Sequence, residues 1–142
     1  MSTALPPLHA PLTRRGAALL LGLLPWLARA DDGVTPKQIL IGQSITLQGG
    51  RNEYGAAVEQ GVTACLQSVN ARGGVHGRQI VLRTVDDDNQ VSRAESNARE
   101  LIQRDKAFLL FGSIEGGPST AVMKVAAELK VLADVAVAIE EQ

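Results

Sequence analysis

The chain has 142 residues, of which 45% are hydrophobic and 20% are charged, a composition typical of one globular domain rather than a disordered segment. A formal net charge of −1 gives no electrostatic basis for binding DNA or RNA. The sequence has only four aromatic residues, Trp26, Tyr54, Phe108 and Phe111, which argues against an aromatic platform for single-stranded nucleic acid.

Residues 1–30 have the parts of a secretory signal peptide. Arg14 and Arg15 precede the apolar run 16–28, and Ala28-Arg29-Ala30 has small residues where a signal peptidase cleaves. The run is too short to span a bilayer, which needs about 20 residues. We therefore expect residues 1–30 to be removed on export, by the Sec or the twin-arginine route, and residues 31–142 to form one folded domain.

The rest of the chain alternates between strand and helix patterns. Because strands joined by single helices run parallel, the order β-α-β-α-β-α predicts an α/β fold with a doubly wound parallel sheet, a flavodoxin-like or Rossmann-like lobe. The segment after Lys130 fits either a strand or an extension of the third helix. The apolar patterns place the strands at residues 37–44, 78–86 and 107–112, and the helices at about 53–71, 91–102 and 120–130.

Five positions in the first two predicted helices lead to predictions about packing, burial and helix capping. Gly55 and Gly61 in the first helix cost stability relative to Ala, and close packing of that helix on the sheet would account for them. The single cysteine, Cys65, lies on the apolar face of the same helix and is expected to be a buried, inert thiol. Ser92 and Glu95 have the spacing of a capping box at the start of the second helix.

The stretch from Phe108 to Thr120 is the strongest candidate for a binding site. It runs from the third strand through a glycine-rich loop to a helix N-terminus. Ligands of doubly wound sheets lie beyond the carboxyl ends of the strands, and the loops 44–52, 86–90 and 112–120 all belong to that edge. The topology therefore predicts that these three loops surround the site.

The side chains of the third loop suit a zwitterionic amino acid. Ser113, Ser119 and Thr120 offer hydroxyls, and the first N–H groups of the following helix can bind an acceptor such as a carboxylate. Glu115 is placed to pair with an ammonium group on the same ligand. In the alternative interpretation, Ser119 is only a helix N-cap and Glu115 points into solvent.

Other chemistries fit the sequence less well. Residues 112–117 match neither a dinucleotide fingerprint nor a P-loop, and Glu115 would repel a phosphate. The consecutive acids Asp86–Asp88 point in different directions, which favours a solvated strand end, with one Asp hydrogen-bonding the turn, over a metal site. His76 is the only histidine after the leader and is expected at the opposite edge from the site, so no catalytic triad forms. We expect no catalysis, no metal and no cofactor.

Particular strings of the sequence resemble the periplasmic solute-binding proteins of branched-chain amino acid ABC transporters. The most specific is Asn70-Ala-Arg-Gly-Gly-Val-His-Gly-Arg78, followed by a strand that ends in Asp86-Asp87-Asp88, and the resemblance covers about residues 35–130. It implies the N-terminal lobe of a type I periplasmic-binding fold, a branched-chain amino acid or related amide as ligand, a membrane permease as partner and a periplasmic location. The other matching strings are Ile39–Ser44, Leu47–Gly49, Leu101–Lys106 and Leu110–Ser113.

The resemblance also implies a set of ligand-binding residues. The loop departs from the Gly-Thr-Pro-Thr-like form that is frequent in the family, which leaves the identity of the ligand open. The family is longer and has a second lobe that closes over the ligand, so we expect this chain to be a truncated receptor. Carried over to this sequence, the ligand contacts are Ser113, Ile114, Glu115, Ser119 and Thr120, with Gln48 and Tyr54 at the rim.

Three alternatives remain beside transport. The same lobe would serve as the ligand-sensing module of a signalling system, or the chain would be a non-functional receptor fragment. A flavodoxin-like enzyme is disfavoured, because the first loop lacks a phosphate-binding run of Ser and Thr and few aromatics are available to stack on a flavin.

Overall fold

A computed structural model describes residues 32–48 and 52–135; the expected leader, residues 1–30, lies outside this part of the chain. The described residues form a four-stranded sheet in the order β2-β1-β3-β4, with every neighbouring pair parallel, and three helices. This confirms the predicted α/β fold. The elements are β1 (Gln38–Ile45), α1 (Asn52–Ala71), β2 (Gln79–Asp86), α2 (Val91–Gln103), β3 (Leu109–Ser113), α3 (Gly116–Leu129) and β4 (Leu132–Val135).

The helices are divided between the two faces of the sheet. The connection from β1 to β2 runs in one direction across the sheet, and those from β2 to β3 and from β3 to β4 run in the other. Because such crossovers are right-handed, α1 lies on one face, and α2 and α3 pack together on the other. None of these helices is long and apolar enough to cross a membrane.

The core lies between the sheet and the α2–α3 pair. Small residues allow these layers to approach closely: a Cβ added to Gly42 in β1 would lie 2.8 Å from Leu110 Cδ2. The buried residues of this core are Ala94, Ala98, Leu101, Ile102, Ala107, Leu110, Ala121, Val122, Val125 and Ala126.

Two predictions about helix starts were wrong. Helix α3 begins at Gly116, before the predicted start at residue 120. Pro118 does not prevent this start, because an N–H in the first turn of a helix has no partner within the helix, so proline loses no hydrogen bond there. The N-cap of α2 is Gln90, so Ser92 and Glu95 do not form the predicted capping box. After Lys130 the described chain continues as the strand β4, and residues 136–142 lie outside the description.

The predictions for α1 had mixed outcomes. Gly55 does permit close packing, since a Cβ there would lie 1.7 Å from the carbonyl oxygen of Thr46. Gly61 does not, because a Cβ there would meet no atom within 4 Å. Cys65 is exposed rather than buried. Helical periodicity identified the apolar face of α1 but could not show that the sheet covers this face incompletely.

Candidate functional site

The candidate site lies where the chain changes direction across the sheet. Strand β1 is flanked by β2 on one side and β3 on the other, so the connections leaving β1 and β3 diverge. In open α/β sheets this switch point is the position of the ligand cleft. Between the end of β3 at Ser113 and the start of α3 at Gly116 lie only Ile114 and Glu115, both half-buried. The N-terminus of α3 is therefore held close to the switch point.

A bulge at Gly112 directs the end of β3. Gly112 has a φ of 79°, a left-handed conformation, and the register of β3 against β4 shifts between Phe111 and Ser113. A Cβ at Gly112 would lie 2.6 Å from Gln43 Nε2. The fully buried Gln43 accepts a 3.0 Å hydrogen bond from Thr84 Oγ1, and its Nε2 donates to the carbonyl oxygen of Gly112 over 3.5 Å. Sequence reasoning missed Gln43, although a glutamine in a buried strand was a usable signal.

Ser113 and Ser119 are brought together beneath the loop. Both side chains are buried, and Ser119 Oγ donates a 3.1 Å hydrogen bond to Ser113 Oγ. Ser119 lies inside the first turn of α3, whereas Glu115 occupies the N-cap position with extended backbone and no capping bond from its side chain. The interpretation of Ser119 as only an N-cap was therefore wrong. The serine pair links the end of β3 to the first turn of α3.

The first turn of α3 presents backbone donors at the cleft. The first N–H groups of a helix have no partner within the helix, and Pro118 has no N–H, so these donors are Gly116 and Gly117. Both glycines are exposed. The Thr120 hydroxyl is also exposed and donates a 2.8 Å hydrogen bond to the carbonyl oxygen of Gly116. The positive end of the helix dipole lies at the same place.

Asp87 is a buried structural carboxylate, whereas the sequence predicted a solvated strand end at this position. Its side chain is 0% exposed. Its Oδ1 accepts hydrogen bonds from Thr46 Oγ1 at 2.7 Å and the N–H of Asn89 at 3.1 Å, and its Oδ2 accepts one from Ser44 Oγ at 3.0 Å. Asp87 therefore ties the loop after β2 to the end of β1.

Asp86 reinforces the same connection. Its Oδ1 accepts hydrogen bonds from the N–H groups of Leu47, at 2.8 Å, and Asp88, at 3.0 Å. Burial alone would raise the pKa of Asp86, but the backbone hydrogen bonds from Leu47, Asp88 and Gln48, together with the charge of Arg93, hold this pKa below its ordinary value. Within residues 32–48 and 52–135, no group of three or more His, Cys, Asp or Glu side chains is arranged to hold a metal ion.

The two rim residues lie on the same edge of the sheet. Gln48 is exposed in the loop after β1, and Tyr54, in the first turn of α1, is 69% exposed. His76 is in the turn between α1 and β2, at the opposite edge as predicted. Every residue of the predicted site therefore lies at this edge of the sheet. The three hydroxyls differ in exposure: those of Ser113 and Ser119 are buried, and that of Thr120 is exposed.

Comparisons with known proteins agree with this architecture. Residues 38–140 match the model of a family described as periplasmic binding protein. Leu/Ile/Val-binding protein homolog 7 of Brucella melitensis is 34% identical over 111 residues, which are 77% of this chain and 25% of that protein.

Solved structures show the same fold. The branched-chain amino acid transporter substrate binding protein LivJ of Streptococcus pneumoniae, in complex with isoleucine, has 25% identity and a TM-score of 0.69, covering 73% of this chain and 30% of that one. A solute binding protein of an ABC transporter from Rhodopseudomonas palustris, in complex with 3,4-dihydroxybenzoic acid, has 23% identity and a TM-score of 0.62, covering 69% and 27%. At 23% sequence identity, the likeness to the R. palustris protein shows a shared fold only.

The doubly wound sheet, with the start of α3 at its switch point, has the architecture of part of a binding protein such as LivJ. The match over residues 38–140 establishes that the chain belongs to the periplasmic binding protein family, which confirms the resemblance seen in the sequence. The description of the family names binding and a periplasmic location. The chain spans between 25% and 30% of the length of the relatives described here.

Proposed function

We propose that the chain is the N-terminal ligand-binding lobe of an extracytoplasmic receptor, which captures an amino acid or related amide for the membrane permease of an ABC transporter. The position of the α3 N-terminus, two residues beyond β3 at the switch point, carries the proposal. The Leu/Ile/Val-binding relative and the isoleucine-bound LivJ support this class of ligand. Export with removal of residues 1–30 is part of the same proposal.

In this proposal the first turn of α3 binds the carboxylate of the ligand. The N–H groups of Gly116 and Gly117 and the helix dipole attract an anion. A Cβ at Gly116 would meet no atom within 4 Å, so the backbone is open to a ligand. Ser113 accepts the bond from Ser119 and keeps its own hydroxyl hydrogen, which it donates to the ligand together with the Ile114 N–H.

The other contacts give preference for an amino acid. Glu115 at the N-cap pairs with the ammonium group, and the exposed Thr120 hydroxyl accepts a further hydrogen bond. Gln48 and Tyr54 border the ligand from the β1 side. Isoleucine, the ligand named for LivJ, contains both a carboxyl and an ammonium group. In this proposal the carboxylate contacts hold the ligand, and Glu115 selects an amino acid over other carboxylates.

The chain supplies one side of the site in this proposal. Sites with high affinity bury about 70–90% of a small ligand, and the opposite side would come from a second lobe in the longer relatives. We expect the chain to bind leucine with a Kd of about 1 mM, equivalent to about −4 kcal/mol.

Titration with leucine, followed through the backbone amide NMR signals of ¹⁵N-labelled chain, tests the proposal. We expect saturable shifts at Ser113, Gly116 and Gly117, which are lost in Ser113→Ala and kept in Ser68→Ala, a change at the far end of α1. Absence of shifts at about ten times the expected Kd would contradict the proposed function. Sub-micromolar binding would contradict the inference that the chain holds only one side of the site.

A matched ligand pair tests Glu115. 4-Methylpentanoate has the carboxylate and side chain of leucine but lacks the ammonium group. We expect the chain to prefer leucine by about fivefold, equivalent to about 1 kcal/mol for a partly exposed ion pair. Glu115→Gln should remove this preference, and it should not weaken the binding of 4-methylpentanoate, because the variant loses a negative charge that repels the carboxylate. An unchanged preference in the variant would show that Glu115 does not contact the ammonium.

A further inference from the structure

Strand β2 forms one edge of the sheet, and no strand among residues 32–48 and 52–135 pairs with its outer side. The N–H of Gln79 donates to the carbonyl oxygen of Lys37, on the β1 side. Because the backbone groups of successive strand residues point to opposite sides of a strand, the odd-numbered residues of β2 bond β1, and the even-numbered residues direct their N–H and C=O groups outward. The outward residues are Ile80, Leu82, Thr84 and Asp86.

The side chain of Asn70 takes the place of a neighbouring strand at Ile80. Asn70 lies in the last turn of α1. Its Oδ1 accepts a 2.8 Å hydrogen bond from the Ile80 N–H, and its Nδ2 donates one of 2.8 Å to the Ile80 carbonyl oxygen. A residue of an antiparallel neighbour would form the same pair of bonds. At the other end of β2, Asn97 Nδ2 donates a 3.1 Å hydrogen bond to the carbonyl oxygen of Asp86. The two amides therefore close the ends of the edge.

The middle of this edge is open. Within the part of the chain that the structure describes, no hydrogen bond reaches the outward N–H and C=O groups of Leu82 and Thr84. Helix α1 leaves them accessible, because an open groove of about 370 Å³ lies between the helix and the edge, lined by Thr63 and Gln67 of α1 and by side chains of β2. An open edge of this kind is a template for pairing with another strand.

The strand β2 of a second copy has two antiparallel registers in which it would pair with the open groups. One register is centred on Leu82. Leu82 then faces Leu82 of the second copy, and Ile80 faces Thr84 in both directions, so the outward groups of all three residues are paired. This register requires the N–H and C=O of Ile80, and Asn70 holds both of them.

The other register is centred on Arg83 and needs only the open groups, because Leu82 then pairs with Thr84 in both directions. It places Arg83 opposite Arg83 of the second copy in a non-hydrogen-bonded pair, where Cα atoms lie about 4.5 Å apart and like charges are destabilising. The Arg83 side chain is 52% exposed and lies 3.5 Å from Asp105, so its charge still faces an approaching strand. The register centred on Leu82 avoids this repulsion, since it places Arg83 opposite Val81.

From these contacts we propose that the outer edge of β2 is a latent self-association surface whose partner is a second copy of this chain. Asn70 closes the register centred on Leu82 by occupying the backbone groups of Ile80. Arg83 closes the register centred on itself by charge repulsion. The edge is thereby kept free of strand pairing although its middle is open. The inference does not depend on the ligand or on the proposed function.

Sedimentation velocity of the Asn70→Ala variant tests the first part of the inference. We expect the native chain to remain a monomer between about 10 μM and 1 mM, and Asn70→Ala to have about half of its protomers in dimers at about 100 μM, because Ile80 becomes available for pairing. Circular dichroism of the same samples shows whether the variant keeps the native fold. A monomeric, folded Asn70→Ala variant, or a native chain that dimerises in this range, would contradict the inference.

Charge changes at Val81 show whether the dimer uses the register centred on Leu82. Val81 is 39% exposed and would face Arg83 of the second copy. In the Asn70→Ala background, Val81→Glu should tighten dimerisation about fivefold, because it adds an opposite charge, and Val81→Arg should weaken it by at least as much. Association that arises from unfolding or from another surface would not follow the sign of this charge. Equal effects of the two changes would therefore overturn the proposal.

Variants of Arg83 test the second register with Asn70 in place, and they decide the question if Asn70→Ala does not fold. Arg83→Thr removes the like charges and should dimerise between about 10 μM and 1 mM, whereas Arg83→Lys keeps them and should remain a monomer. If Arg83→Thr stays monomeric, or if Arg83→Lys dimerises equally, charge at this position does not protect the edge and the inference is wrong.

Discussion

The hydroxyl of Thr46 donates a 2.7 Å hydrogen bond to the carboxylate of Asp87, and neither side chain is exposed to solvent. Thr46 follows β1 and Asp87 follows β2, so this bond joins two of the three loops at the cleft edge. The Ser44 hydroxyl donates to the other carboxylate oxygen of Asp87, and Asn97 Nδ2 donates to Ser44 Oγ at 3.2 Å. The loop after β1, which leads to Gln48, is thereby fixed from beneath.

We expect Asp87→Asn to destabilise the fold by about 2 kcal/mol. Asparagine keeps one acceptor oxygen but replaces the other carboxylate oxygen by an NH₂ group. That group would face the hydroxyl of Ser44 or Thr46, which donates to Asp87 in the native structure, so one hydrogen bond is lost and the other becomes weaker. The free energy of unfolding in urea measures this effect.

Asp88→Asn is the matched control for that variant. Asp88 pairs with Arg93 at 3.3 Å on the surface, and asparagine tolerates the left-handed backbone of this position, φ 51°. The Asp88→Asn variant should therefore lose less than about 1 kcal/mol of unfolding free energy. Equal losses in the two variants would show that Asp87 has no special role.

The two glycines of α1 provide a second matched pair. Gly61→Ala should stabilise the protein by about 0.5–1 kcal/mol, because alanine has the higher helix propensity and its Cβ meets nothing. Gly55→Ala should destabilise it by several kcal/mol or prevent folding, since its Cβ would lie 1.7 Å from the Thr46 carbonyl oxygen.

Thermal unfolding of both glycine variants, monitored by circular dichroism, distinguishes these outcomes. Opposite shifts of Tm are expected. If Gly55→Ala raised Tm as Gly61→Ala does, the close contact between α1 and the end of β1 would not exist in solution.

The topology was predictable because buried strands and amphipathic helices leave local apolar patterns, and parallel order follows from their alternation. The start of α3 was not, since Gly116, Gly117 and Pro118 are typical of a loop and only the folded structure shows them in a helical turn. The roles of Gln43 and Asp87 depend on partners 41 residues away, Thr84 and Thr46, which no local pattern reveals. The position of the candidate site was inferred from the strand ends, whereas the burial of Ser113 and Ser119 depends on packing and is visible only in the folded structure.

Asp86 should make stability depend on pH in acid. Its folded pKa lies below its ordinary value of 3.8, so the folded state binds fewer protons than the unfolded state as the carboxylate titrates. The stabilisation is present above about pH 4 and is lost as the pH falls through the folded pKa. Urea unfolding between about pH 5 and pH 3 should therefore show stability decreasing toward acid.

Asp86→Asn is the control for this dependence. It keeps an acceptor oxygen for the N–H groups of Leu47 and Asp88 but does not titrate in this range. We expect a shallower decrease of stability with acid than in the native chain, with a remainder from Asp105 and Glu128, whose pKa values are lowered by arginine partners. Parallel curves for the two proteins would rule out the contribution of Asp86.

The bulge at Gly112 can be tested through its coupling to Gln43. Gly112→Ala should cost about 3 kcal/mol, in part from the left-handed backbone and in part from contact between the new Cβ and Gln43 Nε2, 2.6 Å away. In a Gln43→Ala background the contact disappears, and the same change should cost only the backbone strain, about 1–2 kcal/mol. A double-mutant cycle from urea unfolding gives the coupling between the two positions. Additive losses would mean that Gln43 does not pack against the bulge. Another residue would then have to support the end of β3 and, with it, Ser113.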